Sequence, residues 1–193
     1  MLGSGPLVRF ERIAMQNTDF RCYEPEVHDP YPDRKWSRIR GFSYESDLHL
    51  LRLRRGLPGI RREAQYIVAK PYLVSFKLDD EGNRRNITVP KGMLTDLASV
   101  PRPLRWYAGR VGPHLEAAVV HDFLYVAWQD LGMLPTGSMR CFADRMMLTA
   151  MLTAGMCSKA YTIYRAVRFG GGRAFRCPEP CRYVELDARK PHA

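Results

Sequence analysis

Ala117-Ala118-Val119-Val120-His121-Asp122-Phe123-Leu124-Tyr125-Val126-Ala127-Trp128 is the most core-like stretch of this chain. A helix that is hydrophobic on every side is a buried helix. The stretch therefore predicts a central helix over residues 115–130, with Gly112-Pro113 before it and Gly132 after it. The polar interruption at its middle is His121 beside Asp122. An imidazole and a carboxylate placed in a core each need a hydrogen bond, an opposite charge or a metal. Whatever packs on this helix has to supply one.

On the C-terminal side, Ser138 is a candidate N-cap for a second helix over 139–156, with Gly155 marking its end. Ser158 is a candidate cap for a third helix through Tyr161, Ile163, Tyr164, Val167 and Phe169, stopped by Gly170-Gly171-Gly172. Met146, Met147, Met151 and Met156 read as core. On the N-terminal side the pattern changes to strands. Tyr72-Leu73-Val74-Ser75-Phe76-Lys77-Leu78 alternates, runs into the turn chemistry of residues 79–83, and returns through Asn86-Ile87-Thr88-Val89 as a hairpin. Residues 7–13, 48–53 and 64–69 are further strand candidates, and the Pro-rich residues 24–38 read as an extended arm. Strands grouped before helices predict an α+β fold: a small antiparallel sheet followed by an antiparallel bundle of about three helices, with irregular N- and C-terminal arms. The predicted division is an arm over 1–47, a core domain over 48–172 and a tail over 173–193.

The chain has 193 residues, 46% of them hydrophobic, enough for a substantial core. Mean hydropathy is −0.33, and no apolar run reaches the ~20 residues that cross a bilayer. The first residues have no export-signal pattern, so synthesis in the cytoplasm without a signal peptide is expected. Thirty Lys and Arg against 20 Asp and Glu give a formal charge of +10. That balance suits nucleic acid, anionic lipid or an acidic protein partner without choosing among them. The cluster Arg52, Arg54, Arg55, Arg61 and Arg62 has no nucleic-acid motif around it, which makes DNA the weakest of the three. Five cysteines, an odd number, argue against a disulfide scaffold. Cys141 and Cys157 read as small core residues. Cys177 and Cys181 have the spacing of half a zinc site, which Cys22 and His28 could complete.

His121 and Tyr125 lie four apart on one helix face, and Asp122 points about 100° away. A short connection from the first helix to the second predicts antiparallel packing, which can bring Asp144 opposite His121. Asp144 is one turn from Arg140. A carboxylate on one imidazole nitrogen fixes the tautomer and leaves the other as a base. Asp122 is a candidate ligand for a hard cation such as Ca²⁺, and Asp96, in the Thr95-Asp96 loop, is a second. Thr95 and Ser99 are the nearby hydroxyls. The alternative is a buried polar network that fixes helix packing without doing chemistry.

Gly92-Met93-Leu94-Thr95-Asp96-Leu97-Ala98-Ser99-Val100-Pro101-Arg102, then the His121-Asp122 helix, then Arg140-Cys141-Phe142-Ala143-Asp144-Arg145-Met146-Met147, with a closing Tyr164-Arg165-Ala166-Val167-Arg168-Phe169-Gly170-Gly171, resembles domain-of-unknown-function family 1353 over roughly residues 64–172. That family occurs in tailed phages and prophages. The resemblance implies a virion component, of the tail, baseplate or tail tip, with other virion proteins as partners. Separately, His121-Asp122-Phe123-Leu124-Tyr125 is similar to the His-Asp-x-x-Tyr helix of phospholipase A-two. That similarity implies His121 as base, Asp122 as calcium ligand, Asp144 as the orienting carboxylate and Tyr125 as its hydrogen-bond partner. The helix-linking disulfides of that enzyme have no counterpart, and residues 108–112 are the nearest stand-in for its calcium loop. Two functions follow: a virion component first, and second a hydrolase, calcium-dependent, acting on host envelope lipid or peptidoglycan.

Overall fold

The computed structural model describes residues 9–11, 21–28, 38–53, 65–79, 82–97, 114–176 and 181–186. The Arg cluster beyond Arg52, the loop through Ser99, residues 108–112 and Cys177 lie outside them. The described strands are β1 (Arg9–Glu11), β2 (Ile39–Tyr44), β3 (His49–Arg52), β4 (Tyr66–Val68), β5 (Tyr72–Leu78), β6 (Arg85–Val89) and β7 (Leu94–Thr95). Four described helices follow: α1 (His114–Asp130), α2 (Gly137–Thr153), α3 (Cys157–Gly170) and the short α4 (Gly172–Arg176). The class is α+β, as the order of patterns predicts.

The strands divide between two sheets, in the orders β1-β3-β4-β7 and β2-β5-β6. The predicted hairpin is β5–β6, antiparallel, with Tyr72 opposite Val89 and Val74 opposite Ile87. Tyr72, Val74, Phe76 and Leu78 all point one way and are buried, as the period-two side-chain alternation of a strand requires. They meet the helices directly, Phe76 packing on Phe142 of α2 at a ring-centroid distance of 5.7 Å. Helix α1 contacts β6, α2 and α4, so its sides are enclosed and it has no use for a polar stripe. Its end is set by Gly132 in the left-handed region (φ 67°), where Met133 N–H donates to the Trp128 carbonyl at 2.8 Å.

The second helix starts earlier than its Ser138 cap predicts. Thr136 is the N-cap: its backbone is extended, and its hydroxyl accepts from Met139 N–H at 3.2 Å. Helix α3 starts at Cys157 with no side-chain cap, so Ser158 sits inside its first turn. Cys157 is exposed and Cys141 half-buried, so neither is the enclosed core residue that its apolar surroundings suggest. Met146, Met147 and Met151 are core, with Met156 packed at its edge.

The described terminal pieces are tied to the first sheet. Cys22 pairs with Val184 and Met93 with Tyr183, and Cys22 is disulfide-bonded to Cys181. This corrects two expectations. A disulfide is present despite the odd cysteine count, and Cys181 is no zinc ligand, because a disulfide sulfur has no thiolate to offer a metal. Gly92 admits the C-terminal strap of residues 181–186: it adopts φ 84°, and a Cβ there would meet the Val184 carbonyl oxygen at 2.2 Å. Tyr183 donates to Asp130 at 2.6 Å, and Arg182 pairs with the same carboxylate, so the strap neutralises an acid at the unfavourable C-terminal end of α1.

Candidate functional site

Three helices converge on one carboxylate. Asp144, from α2, is fully buried at 0% exposure. The connection over residues 131–136 turns α2 back along α1 and sets Asp144 against His121 and Tyr125. His121 Nε2 lies 2.8 Å from Asp144 Oδ1, and the Tyr125 hydroxyl donates to the same oxygen at 2.6 Å. The two rings lie against each other, tilted by 45°, at a centroid distance of 4.0 Å, the contact that i, i+4 spacing provides. On the other oxygen, Oδ2, Arg168 of α3 donates from its guanidinium at 2.7 Å, and Arg140 Nε stands 3.7 Å away. Arg140 also donates to the carbonyls of Val167 and Arg168, which holds the last turn of α3 against the first turn of α2.

The electrostatics follow from this packing. Burial works to raise the Asp144 carboxyl, and the bonds from His121, Tyr125 and Arg168 outweigh it, leaving it below its ordinary 3.8. Burial opposes charge on His121, yet the carboxylates of Asp122 and Asp144 prevail and raise the ring above its ordinary 6.5. Burial first, and then the neighbouring Asp144, pushes the Tyr125 hydroxyl up. An ionised Asp144 only accepts, so Nε2 of His121 carries the proton of their shared bond. Nδ1 then faces the Asp122 side, 3.9 Å from Asp122 Oδ1. Asp122 Oδ2 accepts from the Thr95 hydroxyl at 2.5 Å, and Thr95 Oγ1 accepts from Leu97 N–H at 3.0 Å. Leu97 itself has φ 53°, an uncommon conformation for a branched residue.

The structure thus brings together His121, Tyr125, Asp144 and Asp122, all named by the sequence, with Thr95 at the end of β7. Among the described residues no group of three or more His, Cys, Asp or Glu side chains could hold a metal ion. Calcium takes six to eight oxygens. Asp122 and Asp96 would need backbone carbonyls or further oxygens beside them to hold calcium.

Residues 72–167 match the sequence model of a family described as a protein of unknown function, DUF1353. The chain carries a DUF1353 domain. The match runs from β5 into the last turn of α3, so His121, Tyr125 and Asp144 fall within the DUF1353 segment and Arg168 lies one residue beyond it. No curated protein and no solved structure matches the chain.

Sequence reasoning missed Arg168. Its signal was available: an arginine adjoining the buried row Ala160, Ile163 and Val167, on a helix that packs on one carrying a buried acid in need of a cation. It also missed Glu116, in the first turn of α1. Glu116 is buried and accepts from the Tyr72 hydroxyl at 3.2 Å. Burial pushes its carboxyl up to about 7, against the pull of the Tyr72 bond.

Proposed function

We propose that this protein is a hydrolase of ester bonds in host envelope lipid, carried as a tail or baseplate component of a phage particle. One observation carries the enzymatic part: the 2.8 Å contact of His121 Nε2 with Asp144 Oδ1, with Tyr125 on the same oxygen. A carboxylate on one ring nitrogen is one part of the arrangement a general base uses. The carboxylate holds the ring in one tautomer and stabilises the imidazolium that forms, while Nδ1 takes the proton. A water gives its proton to Nδ1 of His121 as its oxygen bonds to the ester carbonyl carbon. The imidazolium then returns that proton to the departing alkoxide as the carbon–oxygen bond breaks. The virion setting is supported by the family's occurrence in tailed phages.

Incubation with phospholipid vesicles tests the enzyme, reading fatty-acid release with calcium and with a chelator. The base must be neutral to act, and its pKa is raised, so the acid limb of kcat/KM is expected above pH 6.5. A folded protein that releases no fatty acid at mildly alkaline pH, in either arm, overturns the lipid hydrolase and leaves the network as a clamp for three helices. Mass spectrometry of purified particles is expected to find the chain; its absence removes the virion role.

A further inference from the structure

Between residues 137 and 176 the sequence has seven Lys and Arg side chains and a single acidic one, Asp144. That acid is fully buried under Arg168 and Arg140. Every exposed charge that α2, α3 and α4 present is therefore positive. On α3 the inner row Ala160, Ile163 and Val167 is buried, while Tyr161, Arg165 and Phe169, spaced four apart, form one outer row. Phe169 is 93% exposed and Tyr161 51%. Leu134, 84% exposed, lies just before α2. Because Arg140 binds the last carbonyls of α3, the start of α2 and the end of α3 meet, so Leu134 and Phe169 stand at the same end of the bundle.

We infer that this end of the bundle is a docking surface for an anionic phospholipid bilayer. Two large apolar side chains project at an end of the bundle where α2, α3 and α4 present exposed basic charge and no exposed acid of their own. An interface between headgroups and acyl chains takes up both, burying the apolar tips and pairing the cations with lipid phosphates. No described helix is long and apolar enough to cross a membrane, so the attachment is peripheral. A nucleic acid would use the same charge and could stack on Phe169 and Tyr161; the exposed aliphatic Leu134, which offers no stacking face, favours the bilayer. The inference extends the proposed lipid hydrolase by naming the aggregated surface on which it meets its substrate. Binding needs no turnover, so the two fail separately.

Co-sedimentation of the full chain tests it, with vesicles rich in phosphatidylglycerol, vesicles of phosphatidylcholine alone, and a single-stranded oligonucleotide as the competing ligand. Binding to the anionic vesicles is expected, at least tenfold weaker on phosphatidylcholine. Phe169→Ser with Leu134→Ser, and separately Arg165→Glu, are each expected to weaken it about fivefold or more. All three side chains are exposed, and unchanged circular dichroism confirms that the variants fold. No binding to anionic vesicles, binding that ignores these substitutions, or binding to the oligonucleotide alone each overturns the proposal.

Discussion

Replacing Asp144 by alanine is expected to cost about 3–5 kcal/mol of stability, the range for breaking a buried ion pair from one side. In a domain of this size that lowers Tm by roughly 10 °C. The carboxylate is the common partner of His121, Tyr125 and Arg168, with Arg140 close by. Its removal leaves a histidine that is only 2% exposed beside a tyrosine hydroxyl and a guanidinium that lose their acceptor. The loss should depend on pH. The lowered carboxyl of Asp144 gives stability that is complete above its ordinary 3.8 and fades as pH falls through its lower folded value. The raised ring of His121 gives stability that is complete below 6.5 and fades as pH rises through its higher folded value. Both are present between 3.8 and 6.5, so the gap between wild type and D144A is widest there. Thermal unfolding across that range checks it. Asp144→Asn, which keeps the volume and one acceptor, should fall between the two; a D144A variant with wild-type Tm at every pH would show that the three helices do not depend on this carboxylate.

What the sequence could show depended on distance along the chain. Helix α1 was legible because enclosure on several sides leaves its mark on nearly every residue from Ala117 to Ala127, Asp122 and Val126 alone being only half-buried. The β5–β6 hairpin was legible because alternation and turn residues are local. The pairing of Asp144 with His121 needed one inference, that a short connection returns α2 along α1. Contacts needing three elements to be placed at once were out of reach. Arg168 reaches Asp144 from a third helix whose last turn Arg140 also holds, and Cys22 finds Cys181 across a separation of 159 residues. Helix starts were missed for a smaller reason: Thr136 and Ser138 are both competent caps, and the extended backbone at Thr136 decides between them. Gly171 shows the same limit. It reads as a helix stop, yet a Cβ there would meet the Tyr125 hydroxyl at 2.7 Å, so the glycine also makes room for a group in the site.

The variant that separates clamp from catalyst is His121→Gln. The side-chain amide of glutamine reaches about as far as Nε2, so it can still donate to Asp144 Oδ1 and keep Tyr125 and Arg168 on their oxygens. It has no group that takes a proton near neutral pH. A clamp needs only the donor, and a base needs the imidazole. H121Q is therefore expected to keep Tm within a few degrees of wild type while fatty-acid release falls by about 10²–10⁴-fold, the contribution typical of a positioned general base. The pH profile should change as well: the acid limb assigned to His121 disappears, and the residual rate follows hydroxide. If turnover stays within tenfold of wild type and the acid limb is unmoved, the proton goes elsewhere and His121 is a structural residue. The opposite failure, collapse of the fold with glutamine in place, would mean that an amide donor does not replace the ring against Asp144.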